Sequence, residues 1–78
     1  MDNDTYSTRD YLTAAALLAS GAKIDHLEWQ DRNAWFIFKD RDSCSFAYKR
    51  YLNREMNVIA KDYADAIRTI KGLLRAGG

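Results

Sequence analysis

The sequence predicts an α+β fold, a three-stranded and largely antiparallel sheet with helices packed on one face, in the order α-β-β-α-β-α. Three observations carry this expectation. Ala34-Trp35-Phe36-Ile37-Phe38-Lys39 is the most hydrophobic and aromatic run in the chain, and β-branched and aromatic content marks a strand. Polar Gln30-Asp31-Arg32-Asn33 separates two aromatic segments, as a hairpin turn does. Three further stretches repeat their apolar residues with the period of an amphipathic helix.

Met1 to Asp4 is expected to fray. Thr5-Tyr6-Ser7 is extended, either a short strand or the approach to a helix. Ser7-Thr8-Arg9-Asp10 fits a helix start, with Ser7 as the cap, Asp10 reaching back, and Tyr6 and Tyr11 forming a hydrophobic staple. The first helix then runs from about Thr8 to Ser20. Its apolar stripe is Tyr11, Leu12, Ala15, Leu18 and Ala19, widened by Ala14 and Leu17. Gly21 suits the left-handed position after the last turn.

Lys23 to Trp29 reads as a strand, with Leu27 and Trp29 on one face and Ile24, His26 and Glu28 on the other. If Asp31-Arg32 form a two-residue turn, Trp29 faces Ala34 and Leu27 faces Phe36, a large residue opposite a small one. In the next strand Ala34, Phe36 and Phe38 form the core face, and Trp35, Ile37 and Lys39 the outer one. Asp40 or Asp42 caps a central helix from about Ser43 to Asn53, whose stripe is Cys44, Ala47, Tyr48, Tyr51 and Leu52. Met56 and Val58 alternate with Asn57, which predicts a short third strand. The final helix, from about Ala60 to Leu74, buries Tyr63, Ile67, Ile70 and Leu74. Its cations near the C-terminal end suit the helix dipole. Gly77-Gly78 is a flexible end, so the domain spans residues 5–76.

Seventy-eight residues make one domain at the small end of what folds alone, burying roughly 60% of the unfolded surface. A stability near about 5 kcal/mol is the matching expectation. One cysteine, Cys44, permits no internal disulfide and favours a reducing compartment. The acidic start has no basic region followed by an apolar one, so no signal peptide is expected. The apolar run Ala14 to Ala19 is too short to cross a bilayer. A soluble, cytoplasmic protein without membrane contact is the reading. Charge is uneven: residues 1–42 carry five cations against eight acids, and residues 43–78 seven against three. Such asymmetry creates a basic face.

Tyr6-Ser7-Thr8-Arg9-Asp10, with Leu12, Ala14-Ala15, Leu17-Leu18-Ala19 and Gly21, followed by Phe36, Phe38 and Asp40 at the end of the hairpin, resembles a small domain family of unknown function with members in phages and bacteria. The resemblance covers about residues 5 to 75. The family brings no known catalytic or binding residues. What it implies is a setting, in which small phage-borne proteins bind a host protein and some inhibit defences such as CRISPR effectors.

The residues point away from catalysis. His26 and Cys44 are the sole histidine and cysteine, and nothing in their spacing decides whether they meet. Cys44 is either a buried small hydrophobe or a thiolate whose pKa the helix dipole lowers. Asp40 and Asp42 are helix-capping candidates before they are acid–base partners. No metal set, cofactor motif or phosphate loop is present in the sequence.

Binding is the better-supported class. The outer sheet face is expected to show Ile24, His26, Glu28, Trp35 and Ile37, an apolar patch for a partner protein or a second copy of the chain. Aromatic residues on an open sheet also stack bases. A second, basic surface comprises Arg41, Lys49, Arg50 and Arg54 with Phe46 near, extended by Lys61, Arg68, Lys71 and Arg75 if the last two helices are neighbours. The sequence reading is therefore a non-enzymatic module, a monomer or weak homodimer, that binds a protein complex of a bacterial host through Trp35, Ile37, His26, Arg41, Lys49, Arg50 and Arg54. The alternative is a small nucleic-acid-binding protein.

Overall fold

The computed structural model describes residues 4–77. Its elements are β1 (Thr5–Thr8), α1 (Tyr11–Ala19), β2 (Ile24–Gln30), β3 (Asn33–Lys39), α2 (Arg41–Leu52) and α3 (Ala60–Gly77). Among the described residues these make one antiparallel three-stranded sheet and three helices, an α+β fold. The frayed ends expected at residues 1–3 and at Gly78 lie outside the described residues. Asp4 is tied down, because its carbonyl accepts from Arg41 N, and Gly77 is part of α3.

The order β-α-β-β-α-α corrects the expected one. The third strand lies before α1, where Tyr6 pairs with Phe38 and Ser7 with Ile37. Met56 and Val58 do alternate in burial with Asn57, but they anchor a loop and pair with no strand. The same correction moves the first helix cap. Ser7 is committed to the sheet, so Asp10 caps α1 instead. It adopts an extended φ/ψ of −80°/115° and accepts from Leu12 N, with the Thr13 hydroxyl donating to its other oxygen at 2.7 Å. Tyr6 no longer staples Tyr11; its ring lies 6.1 Å from that of Tyr48 on α2.

The aromatic run is the middle strand of the order β1-β3-β2. Its Ala34, Phe36 and Phe38 face the helices, and Phe36 and Phe38 join Ala14, Ala15, Leu17, Cys44, Ala66 and Ile70 in one core. The hairpin register is the expected one, with Trp29 opposite Ala34 and Leu27 opposite Phe36. Asp31 takes the positive φ (57°) that a two-residue hairpin turn demands. A bulge between Ile24 and His26 then reverses the alternation. Ile24 pairs with Phe38 and packs on the core, so it does not belong to the outer face where strict alternation placed it.

Thr13 to Leu17 of α1 is buried on every side, which is the signature of a central helix and not of an amphipathic one. Three consecutive alanines let its neighbours approach closely. It packs chiefly against α3 and also against α2. Tyr11 and Leu12, expected in the stripe, are instead substantially exposed. Leu52 of α2 is likewise exposed, while Cys44 of its stripe is buried and Ala47, Tyr48 and Tyr51 are half-buried.

Two helices end in the same hydrogen-bond motif with different residues at its left-handed position. After α1, Gly21 has φ 109°, and Ala22 N donates to Leu17 O. After α2, Arg54 has φ 60°, and Glu55 N donates to Arg50 O. Both follow the Schellman pattern, whose left-handed residue is usually glycine. Open space surrounds the position of a Cβ at Gly21, so only backbone strain opposes substitution there. Gly21→Ala is expected to lower stability in urea by about 1–2 kcal/mol. Arg54→Gly is expected to raise it by up to about 1 kcal/mol.

Candidate functional site

The outer sheet face is the first surface to place. Because of the bulge, Asp25 and His26 both turn to this side. His26 Nδ1 lies 3.0 Å from Asp25 Oδ2, and its Nε2 lies 2.9 Å from Glu28 Oε2. Lys39 Nζ is 4.0 Å from Asp25 Oδ1. Two carboxylates favour the charged ring, so the His26 pKa is raised, first by the Glu28 contact and then by Asp25. The two acids occupy opposite ring nitrogens, which orients the imidazole without creating a common point for a metal.

This geometry has a pH signature. The folded pKa lies above the unfolded one, so the contribution of the trio is complete below about pH 6.5. It fades as pH rises through the folded value. Imidazole resonances followed by NMR are expected to give a midpoint above the ordinary histidine value. Glu28→Gln is expected to lower that midpoint more than Asp25→Asn does. A midpoint unmoved by either substitution refutes the trio.

The rest of the outer face is less apolar than expected. Ile37 is only 6% exposed, flanked on the neighbouring strands by Ser7 and His26. Trp35 is half-buried, and the Arg9 guanidinium lies 5.5 Å from its ring centroid. With Ile24 on the core side, the anticipated patch of a tryptophan and two isoleucines does not form. Arg9 had no place among the residues singled out from sequence, because nothing local ties it to Trp35.

The second surface is α2. Asp40 caps it, its Oδ1 accepting from Ser43 N at 3.2 Å. This places Phe46, Lys49, Arg50 and Asn53, spaced i, i+3, i+4 and i+7, on one exposed side. Phe46 is 63% exposed. The Arg50 guanidinium sits 5.9 Å from its ring centroid, within range of a cation–π contact. Arg50 Nη2 also donates to Glu55 O at 2.9 Å, so the head group is held from two sides. Lys49 is exposed beside it, and Arg41 and Arg54 are exposed at the two ends of the helix.

Between this helix, the α1–β2 turn and the loop before α3 lies a cleft of about 570 Å³. Lys23, Phe46, Ala47, Arg50, Met56 and Asn57 are among its lining. Phe46 carries a signal legible in sequence, an aromatic residue outside the apolar stripe of its helix. Lys23, Met56 and Asn57 come from separate segments, and only the fold brings them there.

The α3 cations do not extend this surface. Lys61 and Arg68 both engage Asp65, at 3.4 and 2.6 Å, and the Lys71 ammonium lies 5.8 Å from the Tyr11 ring centroid. The named α3 cations are thus already engaged, by Asp65 and by the Tyr11 ring.

Cys44 and His26 are not brought together. Cys44 belongs to the core on the helical side of the sheet, whereas His26 is on the other side. Burial, followed by the nearby Asp40, pushes the Cys44 thiol pKa up. That is the direction opposite to an activated thiolate.

A protein-family model described as a domain of unknown function, DUF5659, matches residues 3–76. The chain belongs to this family. The match takes in β1 through nearly all of α3. Comparison with curated proteins and with solved structures finds no significant match. Among the described residues no helix is long and apolar enough to cross a membrane.

Proposed function

We propose that the protein is a non-enzymatic interaction module that binds a macromolecular partner, in the first place a protein, through the exposed side of α2 and the cleft beside it. Phe46 carries this reading. A phenylalanine 63% in water leaves apolar area that contact with a partner removes. The arginine against its ring is a residue type favoured in binding hot spots. Arg54 adds support. A large cation in a left-handed turn position costs about 1 kcal/mol relative to glycine, and strain kept at an exposed residue is a pointer to use.

An inhibitor of a bacterial defence complex, anti-CRISPR-like in action, is the specific form suggested by the phage setting of the resembling family. The alternative partner is nucleic acid. There Phe46 stacks a base while Lys49, Arg50 and Arg54 hold phosphates.

The deciding experiment is capture of partners from bacterial lysate on the tagged protein, with and without nuclease, in parallel with Phe46→Ala and the double variant Lys49→Glu/Arg50→Glu. A discrete protein complex that survives nuclease and is lost with both variants supports the module. Retention of that complex by both variants removes α2 from the interface. Material lost on nuclease treatment, with a steep salt dependence flattened by the charge reversals, establishes the alternative.

A further inference from the structure

We infer that the cleft beside α2 receives an apolar side chain from an acidic peptide segment of the partner protein. This deepens the proposed function and rests on it. The cleft has the two properties such a segment needs. Ala22, Ala47 and Met56 give it an apolar floor, and Lys23, Phe46 and Arg50 line it as well. Its volume of about 570 Å³ lies within the 300–1,000 Å³ range of ordinary ligand pockets, ample for one large side chain. Methionine adapts its shape to an incoming apolar group.

The charge around the floor selects what flanks that side chain. Arg50 is fixed in place by Phe46 and by the Glu55 carbonyl, so little side-chain entropy remains to be lost when a carboxylate meets it. Lys23 stands across the cleft on the α1–β2 turn. The acid at the cleft, Asp40, has its carboxylate turned to the Ser43 N–H. Lys49 extends the positive side along α2. A peptide with carboxylates on both sides of one apolar residue matches this arrangement. A nucleic-acid strand matches it less well, because a phosphate backbone needs a continuous track of cations, and on α3 Lys61 and Arg68 are already held by Asp65.

The probe is a pentapeptide with a central phenylalanine flanked by two glutamates on each side, titrated into the ¹⁵N-labelled protein. Amide shifts are expected to concentrate at Ala22, Lys23, Ala47, Met56 and Asn57. Replacing the central residue by serine, or the glutamates by lysine, is expected to weaken binding about tenfold or more. Phe46→Ala, at an exposed position that leaves the core untouched, is expected to do the same. Shifts confined to another surface, no shifts at all, equal binding of the serine peptide, or preferential displacement by a twelve-residue oligothymidylate would each overturn the inference. If the peptide misses the cleft while the α2 variants still lose a captured protein complex, the cleft assignment falls and the module stands. If the peptide binds the cleft but no variant affects capture, the proposed function falls.

Discussion

Phe38→Ala is expected to leave the domain with no more than about 2 kcal/mol of stability at room temperature, and half unfolded at the upper end of the cost. Phe38 has no exposed surface and sits in the middle strand, paired with Tyr6 on one side and Ile24 on the other. Truncating a buried phenylalanine costs about 3–5 kcal/mol. A chain of this size has about 5 kcal/mol in total. The loss therefore approaches the whole stability. Phe38→Leu keeps most of the volume and is expected to cost much less. Far-UV circular dichroism and urea unfolding measure both. A Phe38→Ala variant with wild-type stability would place the core elsewhere than between β3 and the helices.

Ala15→Leu is the second large effect, and it comes from excess volume. Ala15 is fully buried in a helix enclosed on every side. Leucine is nearly as good a helix former as alanine, so any loss reports packing. Forcing the extra carbons between α1 and its neighbours is expected to cost about 1–3 kcal/mol or more. Ala64→Leu makes the same change on exposed surface of α3 and is expected to stay within about 0.5 kcal/mol of wild type. Equal stability of the two variants would show that α1 is not the tightly packed centre.

These positions also show what could be read from the chain and what could not. The core face of β3, the hairpin register and a cap at Asp40 or Asp42 follow from alternation, from the size match of Trp29 with Ala34, and from capping chemistry within a few residues; the fold uses Asp40. Contacts across tens of residues did not follow. Thr5 to Thr8 is a strand because it pairs along β3, and Met56 to Val58 is not one because it pairs with neither edge strand of the sheet. Both segments look alike locally, so their neighbours decide. Ser7 and Asp10 both satisfy the requirements of a cap, and the sheet claims Ser7 first. One bulge moved Ile24 from the outer face to the core. For the candidate site, Arg50 and Phe46 were visible as a cation and an aromatic residue one turn apart. The opposing wall at Lys23 and the floor at Met56 come from other segments and had no local signature.

The pairing of α1 with α3 has a consequence for how the chain is made. α3 supplies Ala66 and Ile70 to the core, yet it packs chiefly on a helix that precedes it by some forty residues. While the ribosome extends the chain from Gly21 to Ile59, the sheet strands and α2 can already meet α1, but the side of α1 that packs on α3 has nothing to close against. The nascent protein therefore carries one side of its most apolar helix uncovered until α3 emerges. In a cell, that interval is when a chaperone or a protease meets the chain, and its length is set by where in the sequence the covering helix is encoded.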